Sequence, residues 1–357
     1  MLRERWIMVR NRLLGSARFQ RLASGFAPTR GIANAHARAL FDVVAGFVYS
    51  QVAFACVELK LLERLRERPV AEADLGHLTA LPPERLLVLL KAAASLKLVE
   101  ALPGGRWALG GAGAALLANP GVAEMIAHHR LLYADLADPV ALLRRPRGQG
   151  ALAGYWPYAG ADADAVADYS ALMAASQPML SGQILDAYPF ARHRRLLDIA
   201  GGEGAFVAAV AVRVPGLGLD LLDLPAVADR AAVRLGPAAT VHGGSFITDP
   251  LPIGADVMTL VRVLHDHDDD VVVALLAKVR AALPPGGVLV VAEPMAGTAG
   301  AEPIGAAYFG FYLLAMGSGR PRTAAELTAM LHAAGFARVE RRRTRTPLIV
   351  EVLAAHV

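Results

Sequence analysis

The stretch LLDIAGGEGAF, residues 196–206, decides the fold. An apolar run of strand length stops at a glycine-rich turn, and an apolar helical pattern starts directly behind it. Glycine accepts positive φ and lets a ligand approach the backbone, so Gly201, Gly202 and Gly204 mark a binding turn between a strand and a helix. A dinucleotide fingerprint, G-x-G-x-x-G counted from Gly202, needs a glycine where the chain has Val207. Asp223 ends the next apolar run, LGLDLLDLP, 21 positions after Gly202. At that spacing a carboxylate on the second strand accepts hydrogen bonds from ribose hydroxyls. Turn and acid together point to a nucleoside-containing ligand that is not a dinucleotide.

Outward from this turn, strand and helix patterns alternate from residue 194 onward. RRLLDIA, LGLDLLDLP, ATVHGGSF, ADVMTLVRVL and PPGGVLVVAEP read as strands separated by helices. ARVERRRTRTPLIVEVLAA reads as a closing antiparallel hairpin. The pattern predicts an α/β, doubly wound sheet, on which ligands bind beyond the carboxyl ends of the strands. Residues 111–190 read as mostly helical, with turn signals at NPG (119–121) and YWPYAG (155–160). Ahead of them, VAFACVELKLLERLRER is an amphipathic helix stopping before Pro69, VAEADLGHLTAL a short helix and turn, and PPERLLVLLKAAASLKLV a helix with prolines at its start. LVEALPGGRWAL adds two short strands around a Pro-Gly-Gly turn. Three helices and a hairpin make a winged helix. Its third helix offers Glu84, Arg85, Lys91 and Lys97 among leucines and alanines, a poor face for phosphates. A dimerisation scaffold is the expected role, with no nucleic acid as partner; a winged-helix regulator that senses a small ligand is the rival from another class.

Composition narrows the context. A 357-residue chain with 55% hydrophobic residues supports two domains with a sizeable core. Its one cysteine, Cys56, excludes an internal disulfide and fits a reducing cytoplasm. Only four of the 36 basic residues are lysines, so the basic balance follows codon usage and carries no argument for nucleic acid. VVAGFVYSQVAFACV (43–57) falls short of the roughly 20 residues a membrane helix needs and reads as a buried core or dimer helix. The N-terminus reads as a basic amphipathic helix, with Trp6, Val9 and Leu13 on one face and Arg3, Arg5, Arg10 and Arg12 elsewhere. It fits an arm lying on an anionic membrane surface and an arm packed on a partner subunit equally well.

RVLHDHDDD, residues 262–270, is the second chemical signal. Two imidazoles and a carboxylate run could hold a metal, but no third ligand cluster appears elsewhere, and no metal is expected. Asp268, Asp269 and Asp270 fit the start of a helix, where acids are stabilised. His265 belongs to a strand end facing the ligand crevice, the place for a general base. His267 is expected to be solvated or a packing residue.

LLDIAGGEGAF, DLLDLPAV, HGGSF, VRVLHDHDD, VLVVAEPM and RTAAELTAMLHAAGF occur here in the order found in the S-adenosylmethionine-dependent O-methyltransferases of the plant-type, acetylserotonin-like class, which the chain resembles over nearly its whole length. RNRLLGSARFQRLASGFAPTRGIANAHARALFDVVAGFVYSQV and AYFGFYLLAMGSGRPRT resemble a narrower branch, the bacterial hydroxyneurosporene and demethylspheroidene O-methyltransferases. The resemblance implies a Rossmann-like methyltransferase sheet, S-adenosylmethionine as cofactor, and a homodimer. It implies a hydrophobic substrate, an acyclic carotenoid with a tertiary 1-hydroxyl; phenols, polyketides and other pigments are the same-class alternative. His265 becomes the general base, and Glu293, at the end of VVAE, the carboxylate that steers it. Asp198, Gly201, Gly202, Gly204, Asp223, Leu224, Ser245, Phe246 and Arg262 become cofactor-binding. The class's second glutamate falls at Pro321, its lysine at Val261 with Arg262 beside it, and its loop acid at Gly244 and Ser245. YFGFYLLAM (308–316) reads equally as helix core and as wall of an apolar substrate tunnel. The expected domains are a helical arm and winged-helix dimerisation domain over 1–110, a helical connector contributing to the substrate pocket over 111–190, and the S-adenosylmethionine-binding domain over 191–357. The expected location is the cytoplasm, with peripheral contact to the photosynthetic membrane left open.

Overall fold

A computed structural model describes residues 2–155, 177–347 and 349–357. The chain forms two compact units, Met1–Ala115 and Leu116–Val357. YWPYAG lies outside the described residues apart from Tyr155, which ends a short helix, Ala151–Tyr155.

The first unit opens with helices Leu2–Leu14, Ala17–Gly25 and Ala27–Glu58. The last of these is 32 residues long, and Cys56 is its one buried residue. Of the two readings of 43–57, a buried core helix or a dimer helix, the core reading does not hold for its first part within this chain: Val43, Val44 and Phe47 are exposed, while residues 52–57 are half-buried or buried. The helix is also longer than the apolar run alone implied, and by length and composition it is long and apolar enough to cross a membrane. The amphipathic helix expected up to Pro69 is broken: Lys60 takes φ 51° and a separate turn, Leu61–Arg64, follows. Beyond it come β1 (Val70–Ala71), helices Glu72–Thr79 and Pro83–Ser95, and the hairpin β2 (Val99–Leu102) and β3 (Arg106–Leu109). β1, β3 and β2 form one antiparallel sheet in that order. Leu61, Leu75, Leu86, Leu90 and Val99 are buried, and the Trp107 indole donates to Glu72 at 3.1 Å.

The second unit holds a seven-stranded sheet. Its strands are β4 (Arg195–Ile199), β5 (Gly218–Asp223), β6 (Thr240–Gly243), β7 (Val257–Val261), β8 (Val288–Glu293), β9 (Arg338–Arg342) and β10 (Glu351–His356), in spatial order 6-5-4-7-8-10-9. Strands 6 to 8 in that order run parallel, and β10 pairs antiparallel with both β8 and β9. The fold is thus the expected doubly wound, Rossmann-like methyltransferase sheet with its closing hairpin. The central strands are mostly apolar on both faces, as strands of a parallel sheet covered on both sides require, with Asp198, Asp220 and Thr259 among the buried polar exceptions. One core layer gathers Leu197, Met258, Leu260, Leu276 and Leu289. The other gathers Leu196, Phe206, Leu221, Val257 and Val290. Adjacent residues of one strand thus serve opposite layers.

Ahead of the sheet, NPG opens a helix instead of a turn, since Pro120 begins Pro120–Leu136 at a position that tolerates proline. Residues 177–187 are helical. After β8 the chain forms a π-helical turn, Pro303–Tyr308, running into the helix Phe309–Met316. Tyr312, Leu313 and Met316 are buried against Leu132, Leu142 and Leu152. The helix Ala324–Ala333 starts at a capping box between Thr323 and Glu326.

Candidate active site

The glycine turn sits where β4 hands over to the helix Ala205–Arg213. Gly202 and Gly204 take φ 58° and 78°, the left-handed region that favours glycine. At Gly201 the constraint is space: a Cβ would lie 2.7 Å from the Asp198 carboxylate and 2.8 Å from the Leu221 side chain. The Asp223 carboxylate accepts from the Gly202 amide and from the Leu224 amide, each at 2.7 Å. Burial drives its pKa up, and these two N–H groups oppose the rise. Each oxygen keeps a lone pair for a further donor.

A cavity of about 330 Å³ opens above this turn, lined by Gly201, Gly202, Asp223, Leu224, Ser245, Phe246 and Arg262 among others. These are seven of the nine residues expected to hold the cofactor. Asp198 and Gly204 stand elsewhere. Asp198 is buried beneath the turn, where parallel register sets it opposite Thr259 and the Thr259 hydroxyl donates to it at 2.6 Å. Its other oxygen has no hydrogen-bond partner among the described residues, and burial raises the pKa of the carboxyl to about 7. Gly204 begins the helix, and a Cβ there would meet Leu235. The acid of the neighbouring loop is Asp249, which accepts from the Ser245 amide at 2.8 Å. A largely apolar cavity with a carboxylate at its second strand and an open glycine backbone fits a nucleoside.

The other half of the site begins at Arg262. Its φ of 56° turns the chain off β7 into a short 3-10 turn, Leu264–Asp266. That turn aims the amides of Val263 and Leu264 at one oxygen of Glu293, at 2.9 and 2.7 Å. The second Glu293 oxygen accepts from Nδ1 of His265. Glu293 therefore fixes the turn and the ring with one carboxylate, as its position at the end of β8 implied. On the far side of the ring, Nε2 of His265 meets Asp266 at 3.1 Å. Burial alone would lower the His265 pKa, but the carboxylates of Asp266 and Glu293 outweigh it and hold the imidazole up to about 10. Phe309 packs edge-on against the ring at 5.9 Å.

Asp266 and His267 line the cavity, whereas His265 and Glu293 stand behind it. His267 packs edge-on against Phe246 at 5.2 Å, a packing role as expected. Among the described residues no group of three or more His, Cys, Asp or Glu could hold a metal ion. The acids after His267 do more than start a helix. Asp268 pairs with Arg147 at 2.7 Å and accepts from the Gly319 amide, and makes no side-chain cap. Asp269 binds Arg320 and Arg322. Asp266 and Arg322 were missed as site residues; the signal for the first was its place between the two histidines, and RPR in the motif GSGRPRT was the only trace of the second.

A glycine turn, an acid ending the second strand and a carboxylate-backed histidine on this sheet are the arrangement expected of a methyltransferase. The O-methyltransferase domain family matches residues 133–337. Demethylspheroidene O-methyltransferase of Cereibacter sphaeroides is 45% identical over 339 residues, 92% of this chain and 89% of that protein. The enzyme of that name from Rhodobacter capsulatus is 47% identical over 322 residues, 89% of this chain and 81% of that protein. The crystal structure of human N-acetylserotonin methyltransferase shares the fold, with a TM-score of 0.77 at 24% identity over 90% of this chain and 97% of that one. The chain belongs to the O-methyltransferase domain family and is an S-adenosylmethionine-dependent O-methyltransferase.

Proposed function

We propose that the protein methylates the tertiary 1-hydroxyl of an acyclic carotenoid of the demethylspheroidene or hydroxyneurosporene type, with His265 as general base. The observation that carries the substrate class is the 45–47% identity, over about nine-tenths of the chain, to two demethylspheroidene O-methyltransferases. S-adenosylmethionine supplies an electrophilic methyl group. Gly201, Gly202, Asp223, Leu224, Ser245, Phe246 and Arg262 would hold it in the cavity. A tertiary alcohol is a very weak acid, so His265 cannot deprotonate it in advance and removes the proton as the new bond forms. Glu293 fixes the tautomer through Nδ1 and stabilises the imidazolium. To take a proton at Nε2 the ring must release Asp266, so the acceptor hydroxyl competes with Asp266 for one position. Positioning then carries much of the rate. The apolar helix Phe309–Met316, packed against Leu132, Leu142 and Leu152, would supply the greasy wall an unsaturated hydrocarbon chain needs. The test is purified protein with labelled S-adenosylmethionine and a panel of hydroxylated acyclic carotenoids and phenols. Label in a phenol and in no carotenoid rejects the substrate class and leaves the reaction type standing.

The same reading makes the first unit a winged-helix dimerisation domain, pairing through the exposed apolar face of Ala27–Glu58. It also sets the enzyme in the cytoplasm, touching the inner membrane through its N-terminal arm. Residues 1–48 carry eight arginines against two acids, and Leu2, Trp6, Val9 and Leu13 are 88%, 62%, 60% and 50% exposed. Such a surface matches anionic lipid. Flotation with anionic vesicles, lost at high salt, is the expected result; no flotation on any vesicle refutes the membrane contact.

A further inference from the structure

The 3-10 turn that carries His265 is three residues long and is closed by two long backbone hydrogen bonds, from the Asp266 amide to Val263 at 3.2 Å and from the His267 amide to Leu264 at 3.3 Å. Glu293 satisfies its leading amides. Its carbonyls go to one short segment, Ser318–Arg322, which follows the apolar helix Phe309–Met316 after a glycine with φ 93°. The Arg322 guanidinium donates to the carbonyl of Leu264 at 2.6 Å and to that of His267 at 2.8 Å, bracketing His265 and Asp266. Its remaining donors reach the Asp269 carboxylate at 2.9 and 2.6 Å. The Arg320 amide donates to the His265 carbonyl at 3.0 Å, and the Ser318 hydroxyl to the Asp266 carbonyl at 2.9 Å. Every carbonyl from 264 to 267 thus accepts from this strap. Contact is close: a Cβ on Gly319 would lie 2.0 Å from the His265 carbonyl oxygen, and Gly319 takes φ 76°. Arg322 is 2% exposed, so its fork is fixed by packing and by four hydrogen bonds. Lysine has no such planar fork and could not span two carbonyls and a carboxylate in this way.

We propose that the strap Ser318–Arg322 is a positioning device for His265, with Arg322 its key residue. Glu293 holds the base from the amide side and the strap holds it from the carbonyl side, so the ring keeps its place between Glu293 and Asp266. Because the strap continues directly from the helix Phe309–Met316, whose first residue packs on the His265 ring, the acceptor wall and the base are set by one continuous segment.

The inference rests on His265 being the base, and the experiment separates the two. Turnover, acceptor KM, cofactor affinity and the pH–rate profile are compared for wild type, His265→Gln, Arg322→Lys, Arg322→Ala and Gly319→Ala. Arg322→Ala and Gly319→Ala are expected to lower kcat about 10- to 100-fold, the scale of an ångström of misplacement. Cofactor affinity should stay within about twofold and the pH limb should move to lower pH, as the ring leaves its carboxylates. Arg322→Lys should recover little, and added guanidinium should recover part of the Arg322→Ala loss. If His265→Gln loses turnover while folded Arg322→Lys and Gly319→Ala keep the wild-type kcat and pH limb, the strap does not position the base. If His265→Gln itself turns over normally, the base assignment falls instead. Should Arg322→Ala fail to fold, Arg322→Lys and Gly319→Ala decide the matter alone.

Discussion

Replacing Asp266 by asparagine tests the electrostatics of the site most directly. In the resting enzyme His265 lies between two carboxylates, and its pKa stands near 10. A ring with that pKa is neutral in only about one molecule in a thousand at pH 7. Only the neutral ring accepts a proton, so kcat/KM for the acceptor should climb with pH, close to tenfold per unit, and level off near pH 10. Asparagine keeps the shape of the side chain and an oxygen facing Nε2 but removes the charge. A hydrogen bond to a charged group contributes about 1.5–3 kcal/mol, and one pKa unit corresponds to about 1.4 kcal/mol. The limb should therefore move down by about one to two units, and at pH 7 the neutral fraction should rise by roughly ten- to a hundredfold. The assay is initial-rate methyl transfer between pH 6 and 10.5 with cofactor saturating, on wild type and Asp266→Asn. Stability follows the same pair. The His265 pKa is raised on folding, so its contribution is complete below the unfolded value near 6.5 and is lost as pH rises through about 10. Wild-type Tm should fall across that window, and His265→Gln should fall less. A profile whose limb sits at the same pH in wild type and Asp266→Asn would show that Asp266 does not hold the proton on His265.

Three other outcomes follow from the geometry. Asp223→Ala leaves the amides of Gly202 and Leu224 without their acceptor and the ribose without its own, at roughly 1–3 kcal/mol, so calorimetry should show cofactor affinity weakened tenfold or more; unchanged affinity would move the site elsewhere. Gly201→Ala drives a methyl against Asp198 and Leu221, and should weaken cofactor binding with little loss of Tm, since the turn can yield outward into the cavity. Light scattering at micromolar concentration should give twice the 37.5 kDa chain mass, and a clean monomer would remove the dimer reading of Ala27–Glu58.

The sheet was legible because its signals are local. β5 and β8 are apolar runs that end in an acid, β4 runs into the glycine turn, and that turn and Asp223 lie within 21 residues of each other. The long helix Ala27–Glu58 left its reading open for the opposite reason: composition reports that a face is apolar, not what covers it, and much of this helix is exposed in the single chain. Asp198 was misplaced by about one layer. Its type and position fitted the turn, but the parallel register that sets Thr259 opposite it draws the carboxylate under the glycines and out of the cavity wall.

His265 and its surroundings show where sequence reasoning stops. The histidine and Glu293 were found by motif, 28 residues apart, and the sheet brings them together because β7 and β8 are neighbours in parallel register. Nothing in HDHDDD itself says which acid faces the ring and which faces an arginine. The three-dimensional answer divides the run by function: Asp266 meets the imidazole, Asp268 meets Arg147, and Asp269 meets Arg320 and Arg322. Asp266, Asp268 and Asp269 sit side by side here because each has a different cationic partner, 1, 121 and 51 to 53 residues away in sequence. The arginines of GSGRPR are therefore what neutralise Asp269, just beyond the histidine in sequence.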